Sequence, residues 1–278
     1  MAALLHAGLP ERYALGSSAH EHERLQRQAD IFRPATTQLL RNAGLAPGMR
    51  VLDVGCGVGD VSLIAADLVA PGGEVVAVDR DPAVLERARA RCAALGAAGI
   101  TWVQADLHDA PDLGTFDAVV GRLVLMYAGD PVAMLRDLAR RVRPGGIVAF
   151  QEIDLTSPMS LPDGPLYRQM FQWMVAAFHA AGADPQMGLK LYATFRAAGL
   201  PSPELETTRL LGGGPDFCAY AQGTMVLRSL LPVIVARGIA TADEIDIDTL
   251  EERVRAEAVA GGGVISMPMH VGARTRLN

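Results

Sequence analysis

Hydrophobic and polar positions follow two alternating patterns between residues 50 and 154. Short apolar, β-branched runs predict buried strands, and longer segments with apolar residues three or four positions apart predict helices between them. The five predicted strands are Arg50–Val54, Glu74–Asp79, Ile100–Ala105, Phe116–Gly121 and Ile147–Glu152. Strands that alternate with helices in this way are typical of a parallel α/β sheet with helices on its faces.

Proline and acidic residues mark where the helices of this region begin. Asp81-Pro82 and Asp130-Pro131 each place a capping carboxylate before a proline in the first helical position. Pro47-Gly48 breaks the chain before the first strand, and Pro144-Gly145-Gly146 is expected to turn the last helix into the fifth strand.

The segments on either side of this region have a different pattern. A helix with one polar face is predicted from about Ser18 to Ala43, and residues 159–199 are predicted to be mostly helical. The remaining predicted elements are a strand at Leu205–Leu211, helices at about 216–237 and 243–259, and a last strand at Val264–Val271. We therefore divide the chain into a helical lid (1–46), a core (47–155), a helical insert (156–200) and a segment that completes the sheet (201–278).

Composition and charge restrict the partners of the protein. The chain has 278 residues, half of them hydrophobic, and a net charge of −6, which argues against binding to a nucleic-acid backbone. Three widely spaced cysteines and no visible signal peptide indicate a reducing, cytoplasmic location. The longest uncharged apolar run, Ser229–Ala236, is too short to span a bilayer, so we expect no membrane partner.

The first strand runs into a glycine-rich turn, Gly55-Cys56-Gly57-Val58-Gly59, and Asp79 closes the second strand. Such a turn lets a nucleotide-like ligand approach the backbone, and a carboxylate at the next strand can bind a ribose diol. The dinucleotide fingerprint requires a third glycine where this chain has Asp60. Asp53, just before the turn, would repel a pyrophosphate and attract a cation. S-Adenosylmethionine (SAM), which carries a sulfonium and an ammonium and no phosphate, is the better candidate.

In these motifs the chain resembles the class I SAM-dependent methyltransferases over residues 47–155. The resemblance implies a Rossmann-like, mostly parallel seven-stranded sheet with an antiparallel last strand. It also implies that Asp53 and the glycine turn wrap the amino-acid part of SAM, that Asp79 holds the ribose, and that Asp106 takes the adenine amino group. The full set of cofactor-binding residues expected in the core is Asp53, Gly55, Cys56, Gly57, Gly59, Asp79, Arg80, Ala105, Asp106, Leu107, Gly121 and Arg122.

The N-terminus is more narrowly similar to a subgroup of bacterial small-molecule methyltransferases. Tyr13-Ala14-Leu15-Gly16 is typical of that subgroup, as is Ala181-Gly182-Ala183-Asp184-Pro185 in the insert. The resemblance implies that the leading helices cover the SAM pocket, with Tyr13 and Gln28 facing the cofactor. Some members modify secondary metabolites, including C-methylation of indoles.

Methyl transfer to an oxygen, nitrogen or thiol can require a base, whereas an electron-rich carbon such as indole C3 needs less help. The candidate catalytic residues are Tyr13 and His20 in the lid, Glu152 after the fifth strand and His179 in the insert. Each has a structural alternative: a hydrophobic plug for Tyr13, a solvated helix face for His20, loop structure for Glu152 and packing for His179. Metal-dependent methyltransferases hold a catechol at a carboxylate-rich site, and no such cluster is found beside the fourth strand, so no metal is expected.

The insert is rich in methionine and aromatic residues, most of which have helical spacing and belong in a core. The remainder could line an adaptable apolar pocket for an aromatic or lipophilic substrate. These residues are Met159, Met170, Phe171, Trp173, Met174, Phe178, Met187, Tyr192 and Phe195.

The sequence thus predicts a SAM-dependent methyltransferase that acts on a small, aromatic molecule, by C-methylation of an indole-type metabolite or by O- or N-methylation of another. An NAD-dependent dehydrogenase and a non-catalytic SAM-binding module are the rival interpretations, because fold does not fix function. A monomer or a homodimer is expected.

Overall fold

The structure, a computed structural model, describes residues 19–106, 112–157 and 160–278, and of residues 19–30 it describes the backbone. The strands are β1 (Arg50–Val54), β2 (Glu74–Asp79), β3 (Ile100–Gln104), β4 (Phe116–Arg122), β5 (Val142–Asp154), β6 (Ser160–Leu161), β7 (Glu204–Thr208), β8 (Leu211–Gly212), β9 (Val264–Ser266) and β10 (Met269–Arg276). The helices are α1 (Ala19–Ala43), α2 (Asp60–Val69), α3 (Pro82–Ala94), α4 (Pro131–Ala139), α5 (Pro165–Ala180), α6 (Met187–Ala197), α7 (Ala219–Ala236), α8 (Ala242–Ile245) and α9 (Leu250–Ala260).

Seven strands form one sheet in the order β3-β2-β1-β4-β5-β10-β7. β10 is antiparallel to both of its neighbours, and the pairs among β1 to β5 are parallel. The predicted Rossmann-like sheet with an antiparallel last strand is therefore confirmed. The carboxyl ends of β1 to β4 lie side by side, since Val54 pairs with both Val78 and Gly121.

Consecutive strand residues face opposite sides of the sheet and enter different hydrophobic clusters. Val51 packs with α2 and the end of α1, whereas Leu52 and Val54 pack with the helices of the other face. A sheet that is buried on both faces requires almost continuous apolar strands, which explains the sequence pattern. The predicted caps are also present, since the Asp81 side chain accepts from Ala83 N and the Asp130 side chain accepts from Ala133 N.

The predicted last strand, Val264–Val271, is wrong. The chain forms β9 in a small separate sheet with β6 and β8, and only then enters the main sheet as β10. Pro268 lies between the two strands, and a proline cannot donate a ladder hydrogen bond. The predicted strand Leu205–Leu211 is also divided between the two sheets: β7 belongs to the main sheet and β8 to the small one.

Two other boundaries differ from the prediction. Pro144-Gly145-Gly146 lies inside β5, where the pairing with β4 shifts register and Gly145 has a φ of 74°. The helix predicted at 243–259 is two helices, α8 and α9, because Asp246 adopts a left-handed conformation at the end of α8.

α7 is long and apolar enough, by length and composition, to cross a membrane. In the fold, its residues Leu227, Leu230 and Ile234 are fully buried, and the helix packs against α5 and α9. Its apolar face therefore has a structural use inside the protein. This helix matters for the site because its first turns reach the carboxyl edge of the sheet.

Candidate active site

The glycine turn after β1 requires left-handed backbone at each of its three glycines. Gly55, Gly57 and Gly59 have φ angles of 60°, 53° and 83°, which other residues rarely adopt. A Cβ on Gly59 would lie 2.8 Å from Trp102, whereas a Cβ on Gly57 would meet no atom within 4 Å. Gly59 therefore allows close packing against Trp102, and the backbone of Gly57 faces open space.

Asp79 ties the end of β2 to this turn. Its carboxylate accepts hydrogen bonds from the backbone N–H groups of Gly57 (2.9 Å) and Asp81 (3.0 Å). The Cys56 N–H donates to the carbonyl of Val78 (3.0 Å), so the turn is fixed to β2 at two points. A carboxylate oxygen has two acceptor sites, so each oxygen of Asp79 retains one for a ligand. Cys56 is buried, which raises the pKa of its thiol and makes it a packing residue.

Asp53 is buried beneath the turn with one oxygen satisfied and one not. Ser62 Oγ donates to Asp53 Oδ2 at 2.5 Å, whereas Oδ1 has no hydrogen-bond partner among the described residues. Burial raises the pKa of Asp53 to about 7, although the Ser62 hydrogen bond and the Arg122 charge oppose the shift. A buried carboxylate oxygen without a partner fits an incoming ammonium group. The residues present therefore fit SAM, with Asp53 and the turn holding its amino-acid part.

The Asp53 carboxyl makes SAM binding depend on pH. Because the pKa of unliganded Asp53 is about 7 and only the ionised form pairs with an ammonium, binding must release a proton at lower pH. We expect the Kd for SAM to fall about fivefold from pH 6 to pH 7, to fall about twofold more by pH 8, and to level off above pH 8. In Asp53→Asn this dependence should disappear and the Kd at pH 7.5 should rise about tenfold or more.

Calorimetry in two buffers of different ionisation enthalpy measures both the Kd and the proton release. Glu152→Gln is the matched control, because Glu152 also has its pKa raised to about 7 by burial. If Asp53→Asn keeps the wild-type slope while Glu152→Gln loses it, the assignment to Asp53 is wrong.

The other expected cofactor residues lie around the same edge. The Ala105 N–H donates to the Asp79 carbonyl at 3.1 Å, which brings the end of β3 next to the turn. Asp106 and Arg80 are exposed at this edge. Gly121 is buried, and a Cβ there would lie 2.6 Å from Phe150, so its role is close packing of β4. Leu107 lies outside the described residues.

The Arg122 side chain is 7% exposed and its guanidinium is engaged by groups inside the protein, and its expected contact with the cofactor stays a prediction. Its guanidinium pairs with Asp60 (3.1 Å) and donates to Thr36 Oγ1 (3.2 Å), which in turn donates to Gln151 Oε1 (2.7 Å). Arg91 also pairs with Asp60. This network joins α1, α2, α3, β4 and β5, as expected because a buried charge needs partners. A dinucleotide fingerprint would have glycine at the position of Asp60. Here the Asp60 carboxylate is instead engaged in ion pairs with two arginines of the protein.

Glu152 is fully buried and is an acceptor for the loop that follows β4. Its Oε1 accepts from the N–H groups of Val124 (2.9 Å) and Leu125 (2.7 Å), and its Oε2 accepts from Met126 (3.3 Å). Burial raises its pKa to about 7, against the effect of these hydrogen bonds. Both oxygens are thus engaged with backbone, which favours the structural alternative over the catalytic one.

Of the remaining candidates, His179 is the one whose side chain the structure describes, and it is not brought together with these groups. His179 is exposed near the end of α5 and does not line the pocket described next. Tyr13 lies outside the described residues, and the side chains of His20 and Gln28 do too. In the described part of the chain, no three His, Cys, Asp or Glu side chains are grouped as a metal site would require.

An apolar pocket of about 670 Å³, counting its open mouth, is lined in part by the loop that follows β4. Its walls come from α1, the loop after β4, the end of β5, α5, α7 and the start of β10. The loop joins it to the turn, because Leu123 lines the pocket and Val124 lies 2.8 Å from the Cβ position of Gly55. Phe171, Met174 and Phe178 of the insert line it, in agreement with the predicted apolar pocket.

Two polar residues of this pocket, His270 and Gln222, were missed in the sequence. Both ring nitrogens of His270 and the side-chain oxygen Oε1 of Gln222 have no hydrogen-bond partner among the described residues. Burial lowers the pKa of His270 to about 3, and the charge of Arg122 adds to the effect. The sequence signal that could have identified His270 is a histidine inside an otherwise apolar strand segment. Its position at the carboxyl edge of the sheet became visible only when β10 was placed.

Comparison with known proteins agrees with this geometry. The sequence profile of a family described as a methyltransferase domain matches residues 45–199. An uncharacterised protein of Mycobacterium tuberculosis is 35% identical over 120 residues, which are 43% of this chain and 42% of that protein. The nocamycin O-methyltransferase of Saccharothrix syringae is 32% identical over 194 residues, 66% of this chain and 65% of that enzyme.

Among solved structures, one from Bacillus halodurans, described as a candidate methyltransferase, has a TM-score of 0.58 at 17% identity. The alignment covers 87% of this chain and 97% of that one, which shows a shared fold. The first curated relatives are matched over less than half of their length, whereas the family profile covers more than half of this chain. The chain therefore belongs to the methyltransferase domain family, and its cofactor is SAM.

Proposed function

We propose that the protein transfers the methyl group of SAM to a small aromatic molecule bound in the apolar pocket. The observation that carries this proposal is the shared wall between the pocket and the glycine turn. Leu123 lines the pocket, and Val124, the next residue, packs against Gly55. A molecule in the pocket would thus lie next to the cofactor, as an in-line displacement requires.

SAM supplies an activated methyl group, and the chain supplies binding, orientation and a dry site. Asp53 and Asp79 would hold the polar ends of the cofactor, and Glu152 holds the loop between the two sites through its hydrogen bonds to backbone. Phe32 and the aromatic residues of α5 would exclude water from the acceptor.

The composition of the pocket supports the substrate class. Its lining is dominated by aromatic and aliphatic side chains with a few polar groups, which is the usual lining of sites for small organic ligands. The related nocamycin enzyme, by its name an O-methyltransferase, supports a small organic acceptor. C-methylation of an indole is the alternative within the same proposal, since an indole ring also suits this pocket. The proposal also includes a cytoplasmic location, a monomeric or dimeric state, and no nucleic-acid or membrane partner.

The test is calorimetry of SAM on the purified protein, with NAD measured beside it, followed by a panel of phenols, indoles and amines. We expect micromolar binding of SAM, no binding of NAD, and formation of S-adenosylhomocysteine with an aromatic acceptor, detected by mass spectrometry. Binding of NAD without SAM would favour the dehydrogenase. Binding of SAM with no turnover across the panel would favour a non-catalytic module.

A further inference from the structure

The pocket holds polar atoms that the protein itself leaves without partners. His270 is 1% exposed and Gln222 is 5% exposed, and within the described residues both ring nitrogens of His270 and Gln222 Oε1 lack a hydrogen bond. A buried polar group that is left without a hydrogen bond destabilises the folded protein. By contrast, the Tyr167 hydroxyl in the same pocket donates to the carbonyl of Ser266. The unpaired atoms of His270 and Gln222 therefore differ from the Tyr167 hydroxyl, and a bound ligand is the natural hydrogen-bond partner for them.

The imidazole of His270 is held in a defined place. Its ring lies 3.8 Å from that of Phe32, centroid to centroid, at an angle of 31°. Its backbone is in β10, paired with Ile153 on one side and Thr208 on the other. Because the strand and the stacked ring both restrict it, the imidazole can direct a hydrogen bond to one part of a ligand.

The charge state of the ring decides what it can recognise. The pKa of His270 is lowered to about 3 by burial and by Arg122, so at neutral pH the imidazole is uncharged. A neutral imidazole has one acceptor nitrogen and one N–H donor. It therefore suits a hydroxyl group, and it would not attract a carboxylate or a phosphate as an imidazolium would.

We propose that His270 is a catalytic residue that binds the acceptor hydroxyl of an aromatic substrate and takes its proton, so that the reaction is O-methylation of a phenol-type compound. This inference rests on the proposed function and narrows it to one acceptor atom. Gln222 would bind a second polar substituent of the same ring system. Gln222 lies in α7 and His270 lies at the start of β10, so the two contacts come from different elements of the pocket wall.

The reaction balances without any other reagent. The hydroxyl oxygen forms a bond to the methyl carbon, the bond from that carbon to sulfur breaks, and its electron pair stays on sulfur. The hydroxyl proton passes to the acceptor nitrogen of His270 and then to solvent. The proton becomes strongly acidic as the new carbon–oxygen bond forms, so a weakly basic imidazole is sufficient.

The first test compares 1-naphthol with naphthalene, two ligands that differ by one hydroxyl. Calorimetry is done on the protein saturated with S-adenosylhomocysteine. The expected Kd for 1-naphthol is at least about tenfold lower than that for naphthalene. In the cofactor-free protein, 1-naphthol should shift the ring nitrogen resonances of His270 in an ¹⁵N-histidine spectrum. Equal affinity for the two ligands would overturn the proposal.

The second test uses His270→Phe, which keeps a ring against Phe32 and removes both unpaired nitrogens. Its stability to urea should equal or exceed that of the wild type, because an unsatisfied polar group is removed. The preference for 1-naphthol should fall to less than about twofold, and its turnover should fall about 100-fold or more. His270→Leu, with a smaller apolar side chain, provides the same comparison if the phenylalanine variant does not fold.

The outcomes separate this inference from the proposed function. Methylation of indoles or amines, with hydroxyl compounds unreactive, would overturn the role of His270 and leave the methyltransferase proposal intact. Methylation of 1-naphthol at an unchanged rate by a folded His270→Phe would do the same. Absence of SAM binding in the wild type would instead overturn the proposed function itself.

Discussion

Asp79→Ala is expected to weaken SAM binding about 100-fold while the protein remains folded. The Asp79 carboxylate is the group that would accept the ribose hydroxyls, and hydrogen bonds to a charged acceptor contribute about 1.5–3 kcal/mol each. The variant also releases the Gly57 N–H, which the carboxylate holds at 2.9 Å. The turn therefore loses a ligand contact and an internal support at once. Calorimetry gives the Kd, and urea unfolding gives the free energy of unfolding.

Asp81→Ala is the matched control for this experiment. Asp81 lies two residues away and caps α3 by accepting from the N–H of Ala83 at 2.8 Å. Its loss should reduce the free energy of unfolding by about 1 kcal/mol and change the Kd for SAM by less than about threefold. If Asp79→Ala binds SAM like the wild type, or if both variants lose affinity equally, Asp79 does not hold the ribose.

The cofactor half of the site was predictable because its chemistry is local in the sequence. A strand, a glycine turn and a capped helix follow one another within a few residues, and each has its own signal. Gly55, Gly57 and Gly59 do adopt the positive φ angles that the motif suggests. Parallel pairing then brings Asp79 to the same edge, as the order of the strands implied.

The substrate half was predicted less well because it depends on long-range contacts. His270 reaches the pocket only because β10 inserts between β5 and β7, and no spacing rule gives that position. Glu152 illustrates the converse. Its place at the end of β5 was foreseen, but its three backbone partners come from residues 124–126, and only the fold reveals that both of its oxygens accept from that loop.

Glu152→Ala should be the most destabilising of these substitutions, with a loss of about 3–5 kcal/mol in the free energy of unfolding. It would leave the N–H groups of Val124, Leu125 and Met126 without the acceptor that they now share, and each unsatisfied buried group costs about 1–3 kcal/mol. Glu152→Gln keeps one acceptor oxygen, so its loss should be smaller, about 1–2 kcal/mol. Urea unfolding of the three proteins measures these values.

The pH dependence distinguishes a buried structural carboxyl from a catalytic base. Burial raises the pKa of Glu152 in the folded state to about 7 from 4.5. Its stabilising contribution is therefore complete below about pH 4.5 and is lost as the pH rises to 7. Glutamine does not titrate, so the stability difference between wild type and Glu152→Gln should shrink from pH 5 to pH 7 and stay constant above. If Glu152→Gln instead keeps wild-type stability at every pH and loses all turnover, Glu152 is a base and the positioning role is wrong.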